Sequence, residues 1–322
     1  MQQELEIAVA AVRQASLVCR NVQTQLAGAV LEKEDRSPVT VADFASQALI
    51  CKALLEAFPS DPVVAEEAAD ELRNAANATV RDKVVQYVSA LCPGAGADAV
   101  LQWIDHGGAE AASRFWTLDP IDGTKGFLRG EQYAVALGLI VDGAVEVAAL
   151  GCPNLEVDVG GSKVKGGIFT AVRGQGAAVQ PLDGDAAPSP IRVSSTADPA
   201  QARYCESVEK AHSSHSRSGR VAEAMGTTAE PVRLDSQAKY AVVAQGGAEV
   251  YLRFSRGDYK EKIWDHAAGY LVCSEAGGRT TDTSGADLDF SCGRKLERNQ
   301  GVIVTNGALH DAVLAAVRAT EA

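Results

Sequence analysis

Two aspartates three residues apart, Asp119 and Asp122, lie in the segment DPIDGT, directly after the apolar run 115–118. Proline and glycine favour a tight turn here, so both carboxylates would leave the end of a strand together. Asp-Pro and Asp-Gly are also ordinary turn dipeptides, and taken alone they favour a plain turn. Paired carboxylates at a strand end become informative only if further acids gather beside them.

Three further acidic features stand at the predicted ends of elements. Glu66 and Glu67 follow the strand-like residues 63–65, Asp43 is predicted to open a helix after the segment PVTVA, and Asp265 to open another in the segment WDHAAG. Each has a structural alternative, since Asp43 and Asp265 could be helix N-caps and Glu66 could belong to a solvated turn. Their number and placement nevertheless favour a shared site.

Magnesium is the cation that such a site would suit. It is small and hard, takes oxygen ligands in octahedral geometry and keeps several waters, so one or two carboxylates for each ion suffice. Two ions can clamp a phosphoryl group, one lowering the pKa of the attacking water and the other neutralising charge on the leaving oxygen. Clustered carboxylates repel one another without metal. We therefore expect bound Mg²⁺ in the resting protein.

Candidate cations for an anionic substrate occur in the second half of the chain. Lys239 follows Ser236 by three residues on a predicted helix, so both can share one face. Arg253 ends a predicted strand, and His212 precedes a serine-rich turn. Individually, each is more often a solvated surface residue than a ligand.

The elements that must position these residues differ between the two parts of the chain. The apolar spacing before residue 181 predicts helices over 5–23, 43–58 and 68–91, strands over 63–65 and 115–118, a surface loop over 92–98, and β-hairpins at Asp142-Gly143 and around Gly174-Gln-Gly176. Residues 181–190 are rich in Pro, Asp, Gly and Ala, which indicates a boundary. Beyond it, helical stretches (214–225, 236–245, 263–276, 309–320) alternate with strands (249–254, 301–305), as in α/β proteins.

We therefore predict two subdomains. Residues 1–185 would form an α+β subdomain that carries most metal ligands, and residues 186–322 an α/β subdomain that carries Asp265 and the substrate-binding residues. The length of 322 residues agrees with this division, because it exceeds the usual size of a single core.

Composition limits the partners. The chain has 42 acidic and 30 basic residues, a net charge of −12, and no basic patch, which argues against nucleic acid. An anionic substrate would therefore need local cations. The seven cysteines lack a C-x-x-C pair and suggest a reducing compartment. With neither a signal peptide nor a membrane span in the sequence, we expect a cytoplasmic monomer.

Nine segments, in order along the chain, resemble the 3′(2′),5′-bisphosphate nucleotidases of the lithium-sensitive inositol monophosphatase superfamily. They are PVTVADFASQ, VVAEEAADELR, DPIDGTKGFLRGEQYAVALGL, GCPNL, VEKAHSSHS, LDSQAKY, YLRF, YKEKIWDHAAG and SEAGG. The segments DPIDGT and WDHAAG carry the superfamily resemblance, and HSSHS, LDSQAKY and YKEKIWDHAAG that to the nucleotidases. Ala68 and Ala69 depart from the polar residues common in such relatives.

The resemblance implies a layered αβαβα sandwich of the inositol monophosphatase and fructose-1,6-bisphosphatase type, with two to three Mg²⁺ ions. Glu66, Asp119 and the backbone carbonyl of Ile121 would hold the first ion. Asp119, Asp122 and Asp265 would hold the second, and a weaker third ion would lie near Glu66.

The resemblance also implies the catalytic and substrate-binding roles. Asp43 would accept a hydrogen bond from the Thr124 hydroxyl, whose oxygen would act on the attacking water. The start of a helix after Gly123 could also cradle the phosphate. Adenosine and its 5′-phosphate would be bound by a set from the second half: His212, Ser236, Lys239 and Arg253.

The resemblance implies a phosphatase that removes the 3′-phosphate of adenosine 3′,5′-bisphosphate, inhibited by lithium and serving sulfur metabolism. Two alternatives remain. An inositol phosphate 1-phosphatase could use the same metal site. A nucleotide-binding protein without turnover could keep the same fold, and replacing Asp122 with alanine would identify it, since there would be no rate to lose.

Overall fold

The sheet that carries the DPIDGT segment has seven strands in sequential order. In the computed structural model, which describes residues 1–27, 37–208, 217–255 and 257–320, β1 and β2 are parallel and the remaining neighbours antiparallel. The strands are β1 (Val63–Ala65), β2 (Arg114–Asp122), β3 (Ala134–Val141), β4 (Ala144–Val159), β5 (Ser162–Val172), β6 (Ala177–Pro181) and β7 (Ser189–Pro190). Both faces of the central strands are covered, so β3 is apolar throughout.

Helices from the N-terminal part cover one face of this sheet. They are α1 (Gln2–Ala27), α2 (Ser37–Ala57), α3 (Asp70–Arg73), α4 (Ala78–Leu91) and α5 (Ala97–Asp105). α1 buries a stripe that includes Ala8, Val12 and Cys19, while α2 is apolar on nearly every side because it is enclosed by α1, α4, α5 and β2. The short helix α6 (Thr124–Leu128) follows β2 directly.

The second sheet has five strands in the order β11-β12-β10-β8-β9. They are β8 (Tyr204–Glu206), β9 (Val232–Arg233), β10 (Val250–Arg253), β11 (Arg279–Thr281) and β12 (Val302–Thr305). Helices α8 (Ala238–Ala244) and α9 (Ala267–Glu275) lie between the two sheets, and α7 (Arg217–Ala224) and α10 (His310–Ala319) cover the outer face. The layers thus run helix, sheet, helix, sheet, helix, which confirms the predicted αβαβα sandwich.

The hairpin predictions are confirmed. Asp142 and Gly143 join β3 to β4 with φ angles of 49° and 79°, as a two-residue turn of this type requires. The turn at Gly174-Gln-Gly176 joins β5 to β6.

Three local predictions were wrong. Residues 68–91 do not form one helix, because Asn74 has an extended backbone and its side chain accepts a hydrogen bond from the Ala76 N–H, which separates α3 from the rest. Helix α5 was missed. Asp43 does not open a helix: α2 already begins at Ser37, since Pro38 is tolerated in a first helical turn where its missing N–H is not needed.

Pairing of β7 with β6 extends the first sheet to Pro190, and the second sheet begins at Tyr204. The division into two subdomains stays a prediction. Among the described helices, none combines the length and the apolar character needed to cross a membrane.

Candidate active site

A bulge at the end of β2 places Asp119 and Asp122 on the same side. Asp119 pairs with Ala136 and Asp122 with Ala134, so β2 has one residue more than β3 over this interval. Residues three apart in a regular strand point to opposite faces, and the extra residue corrects this. The Ser46 hydroxyl of α2 donates to the Pro120 carbonyl at 3.0 Å, which fixes the bulge against the helix.

Asp119 is the centre of an acidic cluster that we define as Asp43, Glu66, Asp119, Asp122 and Asp265. Burial, followed by the charges of the other four acids, raises the pKa of Asp119 well above its ordinary value. Carboxylates from α2, the end of β1, the end of β2 and the segment before α9 therefore converge. The Oδ1 atom of Asp119 is buried and has no hydrogen-bond partner within the described residues.

Asp43 reaches the cluster from the interior of α2. Its side chain is buried, and burial together with the charges of Glu67 and Glu66 raises its pKa well above the usual range. Gln47, one helical turn further on, binds the backbone at the end of β1. Its Nε2 donates to the carbonyls of Glu67 (2.8 Å) and Ile104 (2.9 Å), and its Oε1 accepts from the Glu67 N–H at 3.1 Å.

Glu66 lies at the rim of the cluster, where its side chain stays exposed. Partial desolvation and the charges of Glu67 and Asp122 raise its pKa. The loop opposite approaches so closely that a Cβ on Gly107 would lie 2.7 Å from both the Ala65 Cβ and the Gln47 Nε2. Only glycine allows this contact, so Gly107 and Gln47 together fix where Glu66 leaves β1.

Asp265 ends a short 3₁₀ helix (Ile263–Asp265) that precedes α9. Gln237 joins this segment to β2. Its backbone N–H donates to Asp122 Oδ2 at 2.5 Å, its Nε2 donates to the Trp264 carbonyl at 2.8 Å, and its Oε1 accepts from the Gly269 N–H at 3.2 Å. One buried glutamine thereby connects Asp122, the Asp265 segment and α9.

The cluster fits a hard divalent cation. Its donor set consists of carboxylate oxygens, the chemistry that Mg²⁺ prefers, and the orphaned Asp119 oxygen requires a partner that no described protein group supplies. Ile121 could contribute only its backbone carbonyl, because its aliphatic side chain has no ligand atom.

A second acidic group can be excluded as the main metal site. Ligand atoms of Glu261, Asp265 and His266 lie within 4.8 Å of one another. However, Glu261 is already bound by Arg253 (2.7 Å) and His266 (3.3 Å), so its charge is compensated, unlike that of Asp119.

Gly123 follows the bulge with a φ of 89°. A Cβ there would lie 2.8 Å from the Ser236 Cβ, so the approach of the α8 segment also requires glycine. Thr124 begins α6 with an exposed side chain. In the described ranges no hydrogen bond joins the Thr124 hydroxyl to Asp43, and their shared action on a water stays a prediction.

Beside the cluster is a cavity of about 260 Å³ that contains most of the predicted substrate-binding residues. Its lining comprises Asp122, Gly123, Thr124, Lys125, Ser207, Asp235, Ser236, Lys239, Tyr251 and Arg253. Larger cavities, of about 610 and 410 Å³, lie away from the acidic cluster. His212 lies outside the described residues.

Two cations form what we call the cationic wall of this cavity, Lys239 and Arg253. Lys239 is 6% exposed, donates to the Ser236 carbonyl at 3.3 Å and lies over the Tyr251 ring at 5.3 Å. Desolvation lowers its pKa. Arg253 binds Glu261 and, through Nη2, Asp265 Oδ2 at 2.8 Å. Lys239 is therefore a buried cation in a cavity, and not a solvated surface residue.

Sequence reasoning missed Gln47, Gln237, Glu261 and the role of His266. His266 is buried and links Glu261 to the Tyr240 hydroxyl, 2.8 Å from its Nδ1. Gln47 could have been found from its spacing of four residues from Asp43, and Gln237 from its position directly after Ser236.

Comparison with known proteins places the chain in a family. All of residues 1–322 match the model of the inositol monophosphatase family. A 3′(2′),5′-bisphosphate nucleotidase of Emericella nidulans is 43% identical, over 98% of either chain. One from Oryza sativa is 44% identical over 98% of this chain and 93% of its own. One from Dictyostelium discoideum is 39% identical over 97% of this chain and 95% of its own.

Solved structures agree on the fold. The inositol monophosphatase of Thermotoga maritima aligns with a TM-score of 0.65 at 22% identity, covering 99% of this chain and 98% of its own. That of Anabaena aligns with a TM-score of 0.63 at 21% identity, covering 99% and 96%. The resemblance to bisphosphate nucleotidases is confirmed, and the chain belongs to the inositol monophosphatase family, whose members are metal-dependent phosphatases.

Proposed function

We propose that this chain is a Mg²⁺-dependent phosphomonoesterase that hydrolyses the 3′-phosphate of adenosine 3′,5′-bisphosphate to give AMP and phosphate. The 3′-phospho-5′-phosphosulfate analogue would be a second substrate. The observation that carries the proposal is the buried Lys239 ammonium in a cavity that adjoins the acidic cluster. Relatives 39–44% identical over nearly their whole length are named 3′(2′),5′-bisphosphate nucleotidases.

The metal ligands in this proposal are Glu66, Asp119, the Ile121 carbonyl, Asp122 and Asp265. Mg²⁺ bound there would supply a lowered pKa of the attacking water and would neutralise charge on the phosphate. The chain's own contribution is to hold these oxygens together before metal binds, through the β2 bulge, Gln47 and Gln237.

Asp43 and Thr124 would direct the water. The Thr124 hydroxyl would donate to the buried Asp43 carboxylate, and this would turn the hydroxyl oxygen toward the water. The water oxygen then bonds to phosphorus as the bond to the ribose 3′-oxygen breaks, and that oxygen takes up a proton. Backbone N–H groups of the first turn of α6, after Gly123, could bind phosphate oxygens.

The cationic wall would bind the 5′-phosphate, with His212 and Ser236 contacting adenosine. The Ser236 oxygen accepts a hydrogen bond from the Ala238 N–H at 3.1 Å, so its own proton can be donated to a ligand. A compound without a second phosphate leaves the buried Lys239 without an anionic partner, which is costly in a desolvated position. This favours a bisphosphate over inositol 1-phosphate.

A substrate panel tests the proposal. Steady-state kinetics with adenosine 3′,5′-bisphosphate, its phosphosulfate analogue, inositol 1,4-bisphosphate and inositol 1-phosphate should give the highest kcat/KM for the adenosine compounds. A preference for inositol 1-phosphate would assign the chain to the inositol phosphatases instead. No turnover of any of the four, with saturable nucleotide binding, would identify a binding protein.

Metal dependence gives a second test. Chelation should abolish turnover and Mg²⁺ should restore it, and Li⁺ should inhibit by occupying one of the Mg²⁺ positions. Unchanged turnover in Li⁺-containing buffer would contradict that part of the proposal. The implied role is removal of the nucleotide by-product of sulfate activation and sulfotransfer. Cytoplasmic location and a monomeric state, with seven free cysteines, complete the proposal.

A further inference from the structure

Glu261 is a buried acid that is absent from the lining of the 260 Å³ cavity and yet contacts a residue of the cationic wall. Its side chain is 4% exposed, and its Oε2 lies 2.7 Å from Arg253 Nε and 3.3 Å from His266 Nε2. Its Oε1 accepts from the Ser255 hydroxyl at 3.2 Å, and that hydroxyl accepts from the Gly301 N–H at 3.0 Å. Both carboxylate oxygens are therefore held.

The support behind Glu261 is rigid. The Glu261 carbonyl accepts from the Leu296 N–H at 2.9 Å, so its backbone is paired. His266 is fully buried and its second ring nitrogen is bound by the Tyr240 hydroxyl, whose ring packs edge-on against Tyr251. The chain from Tyr240 through His266 to Glu261 thus runs behind Arg253 without reaching the cavity.

Arg253 depends on Glu261 for its orientation. The guanidinium has five N–H donors, of which Nε is used by Glu261 and one on Nη2 by Asp265. Without Glu261, the remaining anion in contact would be Asp265, and the guanidinium would be drawn toward the acidic cluster and away from the cavity. Its planar fork would then no longer meet a phosphate in the required plane.

We propose that Glu261 is a positioning residue that sets the selectivity of this site for a second phosphate, by holding Arg253 at the cavity wall. The inference rests on the proposed function, in which Arg253 binds the 5′-phosphate. Glu261 itself touches no substrate.

The test compares Glu261→Gln with the unaltered chain on two substrates, adenosine 3′,5′-bisphosphate and adenosine 3′-monophosphate. Loss of one charge-assisted contact predicts that KM for the bisphosphate rises by about tenfold, while KM for the monophosphate and both kcat values change by less than about twofold. Calorimetric binding of adenosine 5′-monophosphate, which retains the 5′-phosphate, should weaken by the same factor. Glu261→Asp should recover part of the loss.

Glu249→Gln is the matched control. Glu249 is also a buried acid paired with an arginine, its Oε1 lying 2.7 Å from Arg203 Nη2, but it lines no part of the site. This variant should lower thermal stability without changing the ratio of kcat/KM values. Combining Glu261→Gln with Arg253→Met should cause no further loss of selectivity beyond Arg253→Met alone.

The outcomes are distinguishable. If the unaltered chain prefers the bisphosphate and Glu261→Gln prefers it equally, the inference on Glu261 is wrong and the proposed function stands. The inference is also wrong if both substrates lose the same factor, because that result indicates a general structural effect. If the unaltered chain does not distinguish the two substrates, both proposals are overturned.

Discussion

The acidic cluster and the cationic wall meet at one cavity but are built on different principles. In the cluster, burial and the charges of the four other acids raise the pKa of Asp119, and one buried oxygen of Asp119 has no partner in the described chain. In the wall, Arg253 is held by two acids and Lys239 by a carbonyl and an aromatic ring. The cluster is thus completed only by added cations, whereas the wall is arranged by the protein alone.

Two buried glutamines support this division. Gln47 binds only backbone groups, those of Glu67 and Ile104, on the metal side. Gln237 begins the segment that carries Lys239 and also binds Asp122 and the backbone beside Asp265. Gln237 therefore supports both the cluster and the wall, whereas Gln47 supports the cluster alone.

The largest effect is expected from removing the central charge of the cluster. Asp119→Asn keeps the shape of the side chain but removes the carboxylate that we propose as a ligand of two ions, and kcat should fall by about 10³-fold or more. The same change relieves repulsion, so the melting temperature in EDTA should rise. Loss of activity together with a lower melting temperature in EDTA would contradict an electrostatically strained cluster.

Substitution in the cationic wall should change mainly KM for the bisphosphate. Lys239→Met removes a buried ammonium, and KM for the bisphosphate should rise by about 10- to 100-fold with little change for a monophosphate. Lys163→Met is the control, because Lys163 is exposed and paired with Glu156 on the β4–β5 hairpin. An equal loss on both substrates would place Lys239 on the metal side instead.

The acidic cluster and the cationic wall also differ in how well the sequence predicts them. Four acids of the cluster stand in short motifs at or near the ends of elements, and Asp43 lies inside α2. Their residue types and spacing indicate a cation site. The burial of Lys239 could not be predicted, because it depends on how α8 packs between two sheets whose strands are distant in sequence. The same pattern on an outer helix would give a solvated lysine.

The spacing of Gln47 and Gln237 could have drawn attention to them, but their hydrogen-bond partners could not be predicted, for a related reason. The Gln47 side chain binds backbone groups 20 and 57 residues away, and that of Gln237 binds the Trp264 carbonyl 27 residues away. A backbone partner leaves no trace in residue type. The layer order was predictable from the resemblance. Local helix boundaries such as that at Asn74 were not, because one side-chain cap decided them.

Substitution of Gln47 and of Gln237 should affect the acidic cluster and the cationic wall differently. Gln47→Leu should raise the Mg²⁺ concentration needed for half-maximal rate by about tenfold. KM for the substrate at saturating Mg²⁺ should not change, because Gln47 only orients the metal ligands. Gln237→Leu should raise both the Mg²⁺ concentration needed for half-maximal rate and KM for the bisphosphate. Titrations of rate against Mg²⁺ at several substrate concentrations measure both quantities. Identical behaviour of the two variants would show that the cluster and the wall are not separable.

The smallest effect is expected on the stability of the metal-free protein as the pH changes. The acidic cluster determines whether this stability rises or falls with pH. In the folded chain, desolvation and neighbouring carboxylates raise the pKa of Glu66 to about 7 and that of Asp265 to about 6, above the values near 4 of unfolded chains. The folded state therefore binds more protons. The stability that these groups contribute is complete below about pH 4 and is lost as the pH rises through about 6 to 7.

We accordingly expect the melting temperature in EDTA to fall by a few degrees between about pH 5 and pH 8, and to fall less in Asp119→Asn. Excess Mg²⁺ should stabilise the protein more at the higher pH, because ligand carboxylates must be ionised to bind it. Scanning fluorimetry of both proteins, with and without Mg²⁺, measures the difference directly and cancels titrations elsewhere in the chain. If the two metal-free curves run parallel, repulsion within the cluster does not limit stability, and the contrast between a strained cluster and a satisfied wall is wrong.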